Sequence, residues 1–102
     1  MAKSKCEVRD GRLVATGDFT TDADTNFDGA CRQLLAEPAG ELVADLTGVG
    51  HLSSTYVGLL AELALDARQA GKKLRIVAGP RVAALLKAAG LDAAAAVEGP
   101  RP

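Results

Sequence analysis

The stretch LVADLTGVGHLSSTYVGLLAELALDARQAGKKLRIVA, residues 42–78, predicts a β-strand, an α-helix and a second β-strand in that order. The apolar run Leu42 to Leu46 shows little alternation, which is typical of a strand buried on both faces. A helical pattern follows from about Thr55 to Ala70, and Gly71 suits the left-handed conformation that often ends a helix. The second strand is LRIVA. A unit of this kind predicts parallel strands joined by a right-handed crossover.

The sequence before this unit predicts a hairpin and another helix. Asp10-Gly11 favours a tight turn between apolar segments at Val8 and at Leu13–Val14. Apolar residues then recur at helical spacing: Phe27, Ala30, Cys31, Leu34 and Leu35. Thr25 and Asp28 resemble a capping box at the start of that helix. In the central helix, the predicted buried face is Val57, Leu60, Ala61 and Ala64, with Leu59 and Leu63 on its flank.

The sequence after the unit predicts a third helix and a short last element. Pro80 suits the first turn of a helix, and Gly90 suits the position just past its end. Residues 92–98 predict a short strand or a turn. The order predicts an α/β fold, a mixed β-sheet with an N-terminal β-hairpin, parallel β-α-β units and helices packed against the sheet. We assign this single domain to residues 1–98 and a flexible Pro-rich tail to residues 99–102.

The composition argues against several classes of function. The 102 residues have a formal net charge of -1 and only 3% aromatic residues, which argues against nucleic-acid binding through phosphates or stacked bases. No apolar stretch approaches the length of a membrane span, so we expect no membrane insertion. Cys6 and Cys31 lack metal-ligand spacing and are expected to be reduced thiols. These features predict a cytoplasmic protein.

Three consecutive hydroxyl residues, Ser53, Ser54 and Thr55, precede the central helix. One hydroxyl suffices as an N-cap, because it accepts a hydrogen bond from a backbone N–H two or three residues later. The N-terminus of a helix also stabilises anions, and a phosphate adds about -1.5 to -2 charges. On a docking surface such a charge repels acidic groups of a partner. The run therefore predicts a cap, Ser53, and two candidate phosphate acceptors, Ser54 and Thr55.

Two other interpretations of the polar residues are weaker. Asp45, His51 and Ser54 supply the residue types of a hydrolase triad, with Ser54 as nucleophile and His51 as base, but no G-x-S-x-G motif surrounds the serine. The segment Asp24 to Gly29 resembles the start of a calcium loop, but Leu35 at the twelfth position has no carboxylate. We therefore expect a non-enzymatic protein with no metal and no cofactor.

Residues 41–92 closely resemble the STAS domain of bacterial anti-sigma factor antagonists, and the hairpin and helix before them resemble it loosely. That family has a strand ending in Asp-Leu, a short loop, hydroxyl residues at a helix start, a Gly-containing turn, a Leu- and Val-rich strand, and a helix often opened by Pro and followed by Gly-Leu. The positions that carry the resemblance are Asp45, Leu46, Leu52, Ser54, Thr55, Gly58, Gly71, Leu74, Val77, Pro80, Val82, Leu86, Gly90 and Leu91.

The resemblance implies a binding protein without catalytic activity of its own. Members bind an anti-sigma factor with Ser/Thr kinase activity, which carries the ATP and phosphorylates a hydroxyl at the start of this helix, and a phosphatase reverses the modification. The phosphorylated position of the family falls on Thr55, or on Ser54 as in members with Ser-Ser. The partner-binding residues carried over are Ser53, Ser54, Thr55, Tyr56 and Gly58. Tyr56 replaces a family glycine, so we expect a bulky exposed ring beside the acceptor, which favours an interface anchor in a scaffold without a phosphate cycle.

A second interpretation keeps the same fold without a phosphate cycle. Other STAS branches act as interaction subunits in stress-sensing assemblies or as accessories of lipid-transport systems. In this interpretation the domain is a constitutive scaffold that docks a partner or assembles into a homo-oligomer. The sequence leaves both interpretations open.

Overall fold

The computed structural model describes residues 4–20 and 26–99. Nine elements follow one another along these residues: β1 (Lys5–Arg9), β2 (Arg12–Phe19), α1 (Phe27–Leu35), β3 (Glu41–Leu52), α2 (Ser54–Gln69), β4 (Lys73–Ala78), α3 (Pro80–Ala88), a 3-10 turn (Leu91–Ala93) and β5 (Ala96–Glu98). The predicted order of elements is confirmed. The predicted tail, apart from Gly99, lies outside the described residues.

The five strands form one mixed sheet in the order β1-β2-β3-β4-β5. The β1–β2 pair is antiparallel, and the other three pairs are parallel. Each crossover connects neighbouring strands and steps in the same direction across the sheet. Because such crossovers are right-handed, all three helices lie on the same face. The predicted α/β fold with a hairpin and parallel β-α-β units is confirmed.

The predicted hairpin turn lies between β1 and β2. Asp10 and Gly11 have φ angles of 52° and 75°, both in the left-handed region, as the favoured two-residue turn requires. Val8 pairs with Leu13 across the hairpin. The composition of the turn therefore determines the register of the two strands.

Strand β3 differs from its prediction in length and in burial. It continues through Leu52, because its second half pairs with residues 16–19 of β2. Leu42, Ala44 and Leu46 face the core, whereas Val43 and Asp45 project from the other face and are only partly buried. The prediction of burial on both faces is wrong, since the helices cover only one face of the sheet.

The helices begin and end near the predicted residues, but two details differ. The N-cap of α1 is Asn26, whose Oδ1 accepts a hydrogen bond from the Gly29 N–H at 3.1 Å. The predicted cap Thr25 lies outside the described residues, and Asp28, its predicted partner, forms an ion pair with Arg32 at 3.1 Å. The core face of α2 is also rotated from the prediction: Tyr56, Leu60, Leu63, Ala64 and Ala67 are buried, whereas Ala61 is exposed.

One hydrophobic core fills the space between the sheet and the helices. Its largest fully buried side chains come from β2, β3, β4 and all three helices: Phe19, Phe27, Leu13, Leu34, Leu42, Leu46, Leu60, Leu63, Ile76 and Leu86. No polar side chain belongs to this buried set within the described residues. The charged side chains of the described residues therefore lie wholly or partly at the surface, where the candidate site is found.

Candidate functional site

The three hydroxyl residues lie at the junction between β3 and α2. The Ser53 N–H donates to the carbonyl oxygen of Phe19 at 2.8 Å, which ties the junction to the end of β2. The Ser53 carbonyl oxygen accepts from the N–H groups of Tyr56 and Val57, both at 3.1 Å, and these bonds close the first turn of α2. The backbone of Ser53 therefore determines where the helix begins.

Ser53 occupies the predicted N-cap position, but its hydroxyl does not cap the helix. Its backbone is extended, with ψ 164°, and no side chain within the described residues caps α2. The Oγ atom is buried and has no hydrogen-bond partner in the described part of the chain. The capping bond predicted for Ser53 is therefore wrong, although the position is right. The free N–H groups that open a helix lack internal acceptors at this end.

The next two hydroxyl residues face solvent. Ser54 and Thr55 are the first two residues of α2, and both are exposed. No acidic residue lies in the first turn, so the positive end of the helix dipole is not neutralised there. An anionic group on either hydroxyl would lie beside backbone N–H donors at a helix N-terminus. This arrangement suits a phosphate acceptor.

Tyr56 points the opposite way, into the core. Only 7% of the residue is exposed, and the ring packs against Phe19 and Phe27 with centroid distances of 5.3 Å and 5.5 Å. The prediction of an exposed ring is therefore wrong. The physical reason is that α2 packs with Tyr56 and Leu60 on its inner face, one turn apart. The ring consequently does not cover Ser54 or Thr55.

The outer face of α2 continues from the hydroxyls along the helix. The α2 surface, as we call it, consists of Ser54, Thr55, Gly58, Ala61, Glu62 and Leu65. Ser54, Gly58, Ala61 and Leu65 follow one another at helical spacing, so they form one straight exposed row. Leu65 is 51% exposed. Among the described residues, it is the more exposed of two large hydrophobic side chains at the surface, the other being Leu85.

Gly58 has no structural requirement for glycine within the described chain. A Cβ atom built at Gly58 meets nothing within 4 Å, and its φ is not in the left-handed region. The other helical glycine differs, because a Cβ at Gly29 meets the Asn26 side chain at 2.2 Å to 2.6 Å. Glycine inside a helix costs about 1 kcal/mol relative to alanine. The bare backbone at Gly58 thus allows close approach from outside.

Ala61, Glu62 and Leu65 were not among the residues predicted from the sequence. The helical pattern predicts Ala61 on the buried face, and it does not include Leu65 in the apolar stripe. The signal was available in the spacing, since Leu65 lies eleven residues, about three turns, after Ser54. The side of the helix that is centred on Ser54, rather than on Val57, includes Ala61, Glu62 and Leu65.

The residues of the weaker catalytic interpretation have other roles. The Asp45 carboxylate accepts from the Thr47 hydroxyl at 2.6 Å and the Thr47 N–H at 3.0 Å, and it forms an ion pair with Arg12 at 3.3 Å. Asp45 lies on the open face of the sheet, opposite the helices. His51 and Ser54 are exposed, and neither side chain forms a hydrogen bond in the described part of the chain. The structure thus does not connect Asp45 to His51.

The described residues contain no group of three or more His, Cys, Asp and Glu side chains that could hold a metal ion. Asn26, one of the residues of the calcium-loop pattern, caps α1 instead. Cys6 and Cys31 form no disulfide. No helix within the described ranges is long and apolar enough to cross a membrane.

The mixed five-stranded sheet with three helices on one of its faces has the architecture of a STAS domain. A family model described as "Mlab, STAS domain" matches residues 5–98, and the chain belongs to this family. The predicted resemblance to a STAS domain is confirmed, both over residues 41–92 and over the hairpin and α1, where the sequence resembles the family only loosely. A comparison with curated proteins found no match. Membership in the family indicates a regulatory or binding role of the STAS type.

Proposed function

We propose that this protein is a cytoplasmic STAS-type regulatory module that docks a protein partner through the α2 surface, and that phosphate on Ser54 or Thr55 controls the docking. The observation that supports the proposal is that Ser54 and Thr55 face solvent, whereas the next residue, Tyr56, faces the core. Ser54 and Thr55 are exposed in the first turn of α2, while Tyr56 anchors that turn in the core. The hydroxyls are therefore presented on a fixed surface.

The helix itself tolerates a phosphate at these positions. A dianionic group at a helix N-terminus interacts favourably with the dipole and with free N–H groups. The first turn contains no acidic residue that would repel it. The added charge therefore leaves the domain folded and acts on the partner, through desolvation and through repulsion of acidic groups across the interface.

The rest of the α2 surface provides the contact area for docking. Leu65 supplies an exposed apolar side chain three turns from Ser54, and Gly58 between them allows a partner to approach the helix backbone. A partner that covers Leu65 removes its apolar surface from water, which favours binding. A partner that covers this row also covers the two hydroxyls.

The partner that fits this mechanism is an anti-sigma factor with Ser/Thr kinase activity. The kinase binds the ATP and transfers its γ-phosphoryl group to the Ser54 or Thr55 hydroxyl, ADP is the leaving group, and the hydroxyl proton leaves with a base of the kinase. A phosphatase hydrolyses the phosphoester and restores the hydroxyl. In this scheme the STAS domain binds and is modified, and it contributes no catalytic group.

Phosphate mapping tests the acceptor assignment. The protein is incubated with ATP and its cognate kinase, and modified residues are located by mass spectrometry. We expect phosphate on Ser54 or Thr55, loss of it in the Ser54→Ala/Thr55→Ala double variant, and retention in Ser53→Ala, because the Ser53 hydroxyl is buried. An unmodified wild-type protein, or phosphate confined to residues outside 53–55, would refute the switch.

A second candidate function is constitutive docking without phosphate. It is favoured by the exposed Leu65, because an apolar contact requires no modification. Partner affinity of Thr55→Ala and Thr55→Glu separates the candidates. Under the switch, Thr55→Glu loses binding and Thr55→Ala keeps it. Under constitutive docking both variants bind alike.

A pair of leucine variants tests the docking surface under either candidate. Leu65 on α2 and Leu85 on α3 are both exposed large hydrophobic residues, at 51% and 42%. Leu65→Gln is expected to weaken partner binding about tenfold, while Leu85→Gln leaves it unchanged. Equal effects of the two substitutions would show that the partner does not select the α2 surface.

A further inference from the structure

Among residues 4–20 and 26–99, no element covers one face of the sheet. All three helices pack on the face that carries Leu13, Ala44 and Ile76, each fully buried. Sheets with parallel strands usually have both faces covered. Here the opposite face is open, although three of its four strand pairs are parallel. This open sheet face has no role in the proposed docking through α2, which lies on the other side.

The register places the central side chains of the open face in two adjacent rows across the five strands, flanked by Lys5 and Thr16 on one side and by Glu41 and Lys73 on the other. The arginine row is Arg9, Arg12, Val43, Arg75 and Ala96. The acidic row is Glu7, Val14, Asp45, Val77 and Glu98. The rows are two residues apart on every strand, or about 7 Å. All charges of the first row are positive, and all charges of the second row are negative.

We propose that the open sheet face binds a second copy of this chain. A two-fold axis that lies between the two rows and runs across the strands exchanges the rows between copies. It places the arginine row of each copy over the acidic row of the other, with like strands stacked and antiparallel. An isologous interface of this kind uses the same patch twice. The charge pattern is complementary to itself under this operation.

The contacts of this dimer follow from the row positions. Each Arg9 faces Glu7 of the second copy, which forms two symmetric pairs. Each Arg12 lies over the space between Glu7 and Asp45 of the second copy. Each Arg75 lies between Asp45 and Glu98 of the second copy. A rotation about an axis parallel to the strands would instead stack arginine on arginine, so the charges select one arrangement.

The side chains of the open face are already ordered for such contacts. Arg12 Nη1 lies 3.3 Å from Asp45 Oδ2, and Arg75 Nε lies 2.7 Å from Glu98 Oε2. These ion pairs within the chain hold the long arginine side chains in place and reduce the entropy lost on association. Glu7, by contrast, is exposed and forms no ion pair within the described residues.

Three half-buried valines provide the apolar contact between the charged groups: Val14, Val43 and Val77. They lie on β2, β3 and β4, at the centre of the face. A net charge of -1 per chain opposes association only weakly. The face measures about 24 Å by 17 Å from strand spacing and rise, so each copy buries on the order of 400 Å². This area predicts a weak, salt-sensitive dimer.

Charge reversal on β1 tests the pairing of Arg9 with Glu7. Sedimentation velocity over a wide concentration range is expected to show a dimer for the wild type, weakened on the order of tenfold by Arg9→Glu or by Glu7→Arg alone. The Arg9→Glu/Glu7→Arg double variant restores the dimer, because both symmetric pairs again join opposite charges. An equimolar mixture of the two single variants forms a heterodimer for the same reason.

The matched control is Glu62→Arg on exposed α2, which changes the net charge in the same direction and by the same amount as Glu7→Arg and is expected to leave the dimer intact. Circular dichroism confirms that all variants are folded. A wild type that stays monomeric up to about millimolar concentration overturns the proposal, since that excludes even a weak interface. So does a dimer that Glu62→Arg disrupts while the β1 reversals do not, or a mixture of the single variants that stays monomeric.

Discussion

The ring of Tyr56 packs edge-on against the ring of Phe19, with the centroids 5.3 Å apart and the planes at 79°. Phe27 completes the group at 5.4 Å from Phe19 and 5.5 Å from Tyr56. These are all three aromatic residues of the chain. They join the first turn of α2 to the end of β2 and the start of α1, directly beneath the exposed hydroxyls. The orientation of Ser54 and Thr55 therefore depends on this cluster.

Substitutions of Tyr56 should separate the contribution of its ring from that of its hydroxyl. Tyr56→Ala is expected to lower the free energy of unfolding by about 3–5 kcal/mol, because it removes a buried aromatic ring and leaves a cavity. Tyr56→Phe should change it by less than about 1 kcal/mol, since the hydroxyl has no hydrogen-bond partner among the described residues. Urea unfolding measures both values. A large decrease in the free energy of unfolding of Tyr56→Phe would show that the hydroxyl, and not only the buried ring, stabilises the fold.

The two N-cap residues should respond differently to alanine. Asn26→Ala is expected to cost about 1 kcal/mol of stability, because Asn26 Oδ1 accepts from the Gly29 N–H. Ser53→Ala is expected to change stability by less than about 0.5 kcal/mol, because its buried Oγ forms no hydrogen bond that the substitution would remove. Denaturant midpoints of the two variants give the comparison. Equal losses would show that Ser53 caps α2 in solution.

The order of elements could be predicted from the sequence because its signals are local. Asp10-Gly11 indicated the hairpin, and Pro80 and Gly90 indicated the bounds of the third helix. The burial of β3 could not be predicted in the same way. A valine at position 43 is compatible with a sheet that is buried on one face or on both. The number of helices on each side of the sheet decides between these two arrangements. That number depends on the direction of the crossovers.

The position of the candidate site could be predicted more fully than the orientation of its side chains. The run Ser53 to Thr55 indicated a helix start, but which hydroxyl faces solvent depends on the rotation of α2 about its axis. That rotation is set by packing of Tyr56 against Phe19, a contact between residues 37 positions apart in the sequence. Periodicity alone placed Ala61 inside, because alanine is compatible with either face.

The thiol of Cys31 should make stability depend on pH in the alkaline range. Burial, followed by the negative charges of Asp28, Cys6 and Glu62, raises its pKa from the ordinary value of 9.0 to about 12. Because the pKa is raised in the folded state, this contribution to stability is fully present below pH 9 and is lost as pH rises from about 9 to 12. Urea unfolding of wild type and Cys31→Ala between pH 7 and about pH 10.5 measures it. The stability difference between them should shrink above pH 9, and parallel pH curves would contradict the shift.

Gly58→Ala should increase stability and decrease partner binding at the same time. Alanine favours a helix over glycine by about 0.5–1 kcal/mol, and a Cβ at this position meets nothing within the described chain. The same methyl group projects from the α2 surface, where it holds a docked partner away from the helix backbone. Calorimetric binding and urea unfolding on the one variant give both values.

Two control variants distinguish this explanation from a general effect of helix stability. Ala61→Gly, on the same exposed row, should lower stability by a similar amount without adding an atom to the surface, so binding should persist. Gly29→Ala in α1 should destabilise, because its Cβ displaces the Asn26 cap. A Gly58→Ala variant that is more stable and binds the partner as tightly as wild type would show that docking does not use the bare backbone at this position.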